Sequence, residues 1–191
     1  NILGVVTTLV ISFYLLLERK NLDRYLTLLL GPDKPEKARQ VINQIEHRLG
    51  GWVRGELFLM LAVGTFTYVG LTILGVDIAL PLAVLAGLLE IVPNIGPTIS
   101  AVPAILVALT ISPLTALATL ALYILVQQLE NNLLVPKVME RATGVNPLVS
   151  ILALMVGFRL AGPAGAVLAI PLILVIEIVA STGFSVKLPG D

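Results

Sequence analysis

The apolar positions of this chain fall into long runs that differ in how they are interrupted. Leu57 to Gly75 is unbroken and long enough for a helix that crosses a bilayer, whose hydrocarbon core of ~30 Å takes about 20 residues. Leu80 to Ile111 reads differently, as two short apolar runs joined by Pro93-Asn94-Ile95-Gly96-Pro97. The first of these, Ile78 to Val92, would rise only ~22 Å as a helix. Each half is short for a comfortable span, yet the whole is too apolar for a surface loop. A break at membrane depth must lie against protein or a wet cavity, because lipid cannot satisfy the freed backbone groups. Paired, interrupted segments of this kind point to the central site of a transporter.

The pattern recurs. Pro147-Leu148 opens a second apolar run that breaks at Gly162-Pro163-Ala164-Gly165 and resumes to Ala180. Pro81-Leu82 precedes Gly96-Pro97 by the same spacing as Pro147-Leu148 precedes Gly162-Pro163. Ala101-Val102-Pro103 answers Ala169-Ile170-Pro171 after a two-residue insertion. An internal repeat accounts for this; so does coincidence in a chain rich in Pro, Gly and Leu. The broken segments, 78–111 and 147–180, are either re-entrant or pairs of short spans.

The remaining runs complete the layout. Ile2 to Leu17, ending at Glu18-Arg19-Lys20, is expected to be part of a transmembrane helix, and the start inside an apolar run without Met suggests a missing upstream part. Asp33-Lys34-Pro35-Glu36 starts a helix, with Asp33 as N-cap and Pro35 in the first turn. Ala38, Val41, Ile42, Ile45 and Leu49 share one face of it, and Gly50-Gly51 is expected to stop it. Such a helix lies in the interface or against a neighbouring subunit. Trp52 and Arg54 suit the headgroup boundary. Leu114 to Val135 is a further helix, limited by Pro136 and followed by a short polar loop to Asn146. The expected parts are thus a partial transmembrane helix at 1–17, a cytoplasmic amphipathic segment at 18–56 and a membrane transport core at 57–191.

Composition sets the class. Hydrophobic residues make up 57% and charged residues 13%, against about 25% charged in a soluble domain, and the mean hydropathy is +0.99. The expected fold is all-α, a polytopic integral membrane protein with two broken helical hairpins and one amphipathic interfacial helix. Net charge is zero with no basic block, so nucleic acid is not an expected partner. The absence of cysteine removes disulfides, thiolate metal sites and cysteine nucleophiles. The single histidine, His47, lies on the amphipathic helix without partners for a metal; no metal and no cofactor are expected.

Charge also orients the chain. Eight of the 12 Lys and Arg residues (Arg19, Lys20, Arg24, Lys34, Lys37, Arg39, Arg48, Arg54) lie between the first two apolar runs, which places that segment in the cytoplasm. Each broken segment returns the chain to the side it entered from, so Lys137, Arg141 and Lys187 also fall inside, and of the basic residues only Arg159 does not agree. The two broken segments then point in opposite directions.

No sequence motif for hydrolysis, phosphate binding or dinucleotide binding is present. What remains is polar chemistry at membrane depth, functional by default because a charge there is costly. Glu90 lies one turn before the first break, which holds Asn94, and Arg159 lies just before the second. Gln127, Glu130 and Asn131 are expected to share a helix face, at spacings of three and four. The plainer readings are that Glu90 pairs structurally with Arg159, and that the Gln-Glu-Asn group emerges at the cytoplasmic surface.

At these residues the sequence resembles a known family. Glu90-Ile91-Val92-Pro93-Asn94-Ile95-Gly96-Pro97, the stretch Gln127 to Lys137, Asn146-Pro147-Leu148 and Gly162 to Pro171 look like the AI-2E family of bacterial membrane proteins. The resemblance covers essentially the whole chain, and the family carries further spans at its amino end. It implies a transporter: the family is named for export of the signal autoinducer-2, and some members are assigned sodium/proton antiport. One departure is Gly157-Phe158-Arg159, where the family often has a Gly-Gly pair.

The expected protein is an inner-membrane transporter of a small polar solute or monovalent cation or proton, working by alternating access as a homo-oligomer in the lipid bilayer, and not an enzyme. Glu90, Asn94, Gln127, Glu130, Asn131 and Arg159 would line the path, with Pro93, Gly96, Pro97, Gly162, Pro163 and Gly165 forming the breaks. A non-transporting oligomeric scaffold is the alternative. An intramembrane hydrolase fails for want of a base.

Overall fold

The computed structural model describes residues 7, 10–14, 17–21, 35–92, 95–144 and 147–183. Expectations that fall on Asp33, Pro93, Asn94, Asn146 and Lys187 lie outside the described residues. All regular elements among the described residues are helical. They fall into two compact units, residues 1–46 and 47–191.

In the first unit, Val10, Ile11, Phe13, Tyr14 and Leu17 are helical and exposed, as an apolar helix facing lipid would be. A 3-10 turn, Arg19–Asn21, follows. There the Arg19 guanidinium grips Glu46 with both ends of its fork, donating from Nε to Oε1 at 2.8 Å and from Nη2 to Oε2.

Helix α1, Pro35–Ile73, is continuous over 39 residues. Gly50 and Gly51 sit inside it rather than ending it, so the separate interfacial helix expected from the sequence is the first part of this longer one. Each interior glycine costs about 1 kcal/mol against Ala, and helix formers on both sides outweigh that. The helix ends at Gly75, whose φ of 72° needs no Cβ. The Val76 N–H donates to the Leu71 carbonyl at 3.0 Å and the Gly75 N–H to that of Thr72 at 3.1 Å, while the Val76 and Leu71 side chains are buried together.

Short helices follow: α2, Ala79–Leu89, of 11 residues, and α3, Ile95–Ile111, of 17. Ser112 caps α4, Pro113–Leu129, by accepting from the Thr115 N–H at 3.0 Å, with Pro113 in the first turn. A π turn, Glu130–Leu134, then leads into α5, Val135–Thr143. Here too the sequence expectation is corrected: Pro136 does not end the helix, and 137–143 is not a loop. The π turn explains this. The Val135 N–H reaches back to the Glu130 carbonyl, which widens the turn, so the proline enters in the first turn of a new helix, where its missing N–H is harmless.

The last element, α6, Pro147–Gly183, is broken at Ala161 and Gly162, where φ is −138° and 61°. Its arms, 147–160 and 163–183, fold back on each other, because a methyl group on Gly157 would run into the Gly165 carbonyl, and one on Gly165 into that of Gly157. Those residues would be ~12 Å apart along a straight helix. The first broken segment does the same: a methyl on Gly96 would strike the Leu89 carbonyl.

The core is built from small residues, Ala79, Ala86, Ala104, Ala108 and Ala116, with Leu71, Leu82 and Tyr123. Small side chains let helices approach closely, as membrane helices do. Large apolar side chains point outward: Leu61, Ile73, Leu114 and Leu160 are 70 to 80% exposed. Ala38–Ile73, Pro113–Met139 and Leu148–Ser181 are long and apolar enough to cross a bilayer, the last folded at its break. This is a polytopic helical membrane protein.

Candidate functional site

The site starts from a glycine contact between α1 and α2. A methyl on Gly64 would lie 3.4 Å from the Ala83 carbonyl, and one on Gly87 2.7 Å from that of Met60. As numbers rise along α1 they fall along α2, so the helices run antiparallel in close contact. Glu56 lies one turn before Met60 and Glu90 three residues after Gly87, so the same crossing draws the two carboxylates together. Glu130 arrives from α4, whose buried face is Ala116, Thr119, Tyr123, Val126 and then Glu130 at the opening of the π turn. That spacing of three and four keeps one side chain above another on a helix.

Three carboxylates are therefore buried together: Glu56 is 6% exposed, Glu90 2% and Glu130 2%. The carboxyl groups of Glu90 and Glu130 face each other within hydrogen-bonding reach. Glu56 is near enough to act on Glu90 through its charge and to feel that of Glu130. One oxygen, Oε2, of both Glu90 and Glu130 has no partner. Arg19 pairs with Glu46 and Arg48 with Glu177, away from this cluster, and among the described residues no group of three or more ligands is arranged to hold a metal ion. A buried polar group left unpaired costs ~1–3 kcal/mol, more when charged, so this cluster is a concentrated local cost.

Of the residues singled out from the sequence, Glu90 and Glu130 are brought together. Gln127 is half-buried at the edge of the same face, but Asn131, the next position round the π turn, is exposed, so the three do not share one face as expected. Arg159 is exposed, and the charges that act on Glu90 are those of Glu130 and Glu56. Gly96 and Pro97 are buried in the first hairpin; in the second, Gly165 is buried, Gly162 half-buried and Pro163 exposed. Pro93 and Asn94 lie outside the described residues. Glu56 was missed. Its neighbours Trp52 and Arg54 read as a headgroup boundary, and only its spacing to Met60 and Gly64 marks it as inward-facing.

A carboxylate pair in a lipid-facing bundle, at the turn of a broken helix, is a place where protons or cations can be held. The model of the AI-2E family transporter matches residues 1–184. The chain belongs to the AI-2E transporter family. Among its relatives, the putative transport protein YrrI of Bacillus subtilis is 29% identical over 87% of this chain and 47% of its own length. The putative transport protein YhhT of Escherichia coli is 34% identical over 75% of this chain and 44% of its own length. The AI-2 transport protein TqsA of Escherichia coli is 33% identical over 63% of this chain and 35% of its own length. This AI-2E chain spans about half the length of the curated relatives it matches. Its relatives are named for transport.

Proposed function

We propose that this chain forms part of a secondary transporter in which Glu90 and Glu130 together hold the coupling proton or monovalent cation. The observation that carries this is their face-to-face burial beside the break between α2 and α3. Two bare carboxylates in contact repel, and a proton or cation between them removes the repulsion. Exchange of that ion would favour different arrangements of the hairpin, as alternating access requires. A scaffold that only oligomerises has no use for such a pair. The solute is a small polar molecule, in line with the name of TqsA, or the second cation of an antiporter.

The bacterial inner membrane is the proposed location, with 19–54 and the carboxyl end cytoplasmic and the protein a homo-oligomer. The orientation rests on eight of 12 basic residues in that segment. Because the chain has no cysteine, labelling of Lys187→Cys from the cytoplasmic side alone is the expected result; periplasmic labelling rejects it.

The transport reading is tested in proteoliposomes with a panel of solutes and cations. Glu90→Gln should abolish coupled transport while the protein stays folded and abundant. Full transport by folded Glu90→Gln protein rejects the reading.

A further inference from the structure

The carboxylates are not the only buried polar groups. On the same face of α4, Thr119 is 0% exposed and Tyr123 6%; among the described residues the Thr119 hydroxyl has no hydrogen-bond partner, and the only group within reach of the Tyr123 hydroxyl is Ser100. Beside Tyr123 on α3 stands Ser100, also 0% exposed, which directs its own hydroxyl to the Pro97 carbonyl at 2.9 Å. Thr67, on the buried face of α1 one turn past Gly64, is 1% exposed and its hydroxyl is likewise unpartnered. From Thr119 to Glu130 the polar positions cover ~16 Å of helix, about half of a hydrocarbon core. Exposed hydroxyls behave otherwise: those of Thr65, Thr72 and Thr110 all bond a carbonyl of their own helix, at 2.7 Å. The buried hydroxyls of Thr119 and Tyr123 stand in a row on one face of α4, and that row ends at the carboxylate pair.

We propose that Thr119, Tyr123 and Ser100 line a proton path along the buried face of α4, leading from its Ser112 end to the Glu90–Glu130 pair. A hydroxyl both donates and accepts. It can take a proton on oxygen and release its own to the next group, with no net change in itself. Bridging water completes any step longer than one hydrogen bond. The last acceptor is a carboxylate oxygen, which becomes a carboxylic acid. Glu56, near enough to the pair to act on it through its charge, receives the proton onward when the pair releases it. Thr67 faces the same interior from α1. The path rests on the transport reading above, and the experiment separates the two.

The reconstituted protein is followed in liposomes loaded with a pH-sensitive dye, with a potassium diffusion potential driving protons inward. Thr119→Val and Tyr123→Phe should each slow proton flux about tenfold or more, Thr119→Val without loss of thermal stability, because the hydroxyl it removes bonds nothing. Thr119→Ser, which keeps the hydroxyl, should retain flux within about twofold, as should Thr110→Val on the exposed side. If Thr119→Val does not fold, Thr119→Ala is measured in its place. Unchanged flux in folded Thr119→Val plus Tyr123→Phe protein overturns the path, and so does a wild-type protein that conducts no protons. If that double variant is unaffected while Glu90→Gln abolishes transport, the path fails and the carboxylate reading stands. If the double variant is slow while Glu90→Gln transports fully, the hydroxyls carry protons but not to Glu90, and the path as drawn is overturned together with the role of the pair.

Discussion

The two broken segments use one device to fold back and put it to different ends. In α2–α3 the turn is closed by Gly96 seated on the Leu89 carbonyl, and in α6 by Gly157 and Gly165 seated on each other. Around the first, α1 and α4 bring in Glu56 and Glu130, so the turn ends in buried carboxylates. The second carries exposed charges only, Arg159 and Glu177, on arms whose Leu148, Leu152, Met155 and Leu160 are exposed. A glycine-closed break is thus a structural module, and its chemistry depends on what its neighbours supply.

The largest effect should come from filling the glycine seats. A Cβ on Gly96 or Gly165 meets backbone rather than a flexible side chain, so relief requires the arms to part. Overpacking costs typically 1–3 kcal/mol, and with backbone on both sides about 3 kcal/mol or more is expected. Gly96→Ala and Gly165→Ala should both lower the yield of folded protein in detergent, as read by size-exclusion chromatography. Normal yield and Tm for Gly165→Ala would show that the second hairpin opens freely, and the likeness between the two would fail.

Removing charge should separate what removing glycine does not. Glu90→Gln is expected to stop coupled transport in the liposome assay, whereas Arg159→Gln, on the outside of α6, should leave the rate within about twofold. A hundredfold loss for Arg159→Gln would mean that the second hairpin carries chemistry too. A double variant adds a check on pairing. If Glu90 and Arg159 formed a buried pair, each single change would cost about 3–5 kcal/mol and the double change would restore stability. Independent effects are expected.

Much of the first hairpin was legible in the sequence because its signals are local. Proline and glycine between two short apolar runs mark a break wherever they stand, and Glu90 among apolar neighbours is conspicuous. The long-range parts were not legible. Which charge meets Glu90 depends on which helix crosses it, and that is set by Gly64 against Gly87, which no periodicity within one helix reveals. Arg159 was the obvious partner by charge; Glu130 is the neighbour by packing. The helix boundaries misled for a related reason. Gly50-Gly51 and Pro136 are stop signals in isolation, but the cost of a glycine pair is small beside a continuous helix, and a π turn lets a proline in.

A smaller effect tests the link into α4. Ser112 accepts from the Thr115 N–H and sits within 2.9 Å of its hydroxyl. Ser112→Ala should cost about 1 kcal/mol, lowering Tm by a few degrees while transport persists. The hairpin α2–α3 reaches α4 through this cap, so a loss of transport at unchanged Tm would show that the cap sets the position of Glu130.

The smallest effect is expected where α6 meets α1. Arg48 Nη1 and Glu177 Oε2 are 3.5 Å apart, with side chains 37% and 46% exposed. Exposed pairs are worth about 0–1 kcal/mol, and long side chains lose rotamer freedom to hold one geometry. A pair at a lipid–water boundary is screened less than one in bulk water, which places the expectation near the upper half of that range. The measurement is a double-mutant cycle, Arg48→Ala and Glu177→Ala alone and together, on thermal stability in detergent and in nanodiscs. Coupling of about 0.5 kcal/mol and undiminished transport would make the pair a minor tether for the second hairpin. Coupling above about 2 kcal/mol in nanodiscs would mean that the lipid desolvates it. The second hairpin would then hold a buried charge pair of its own, and the contrast with the first would be one of partners rather than of polarity.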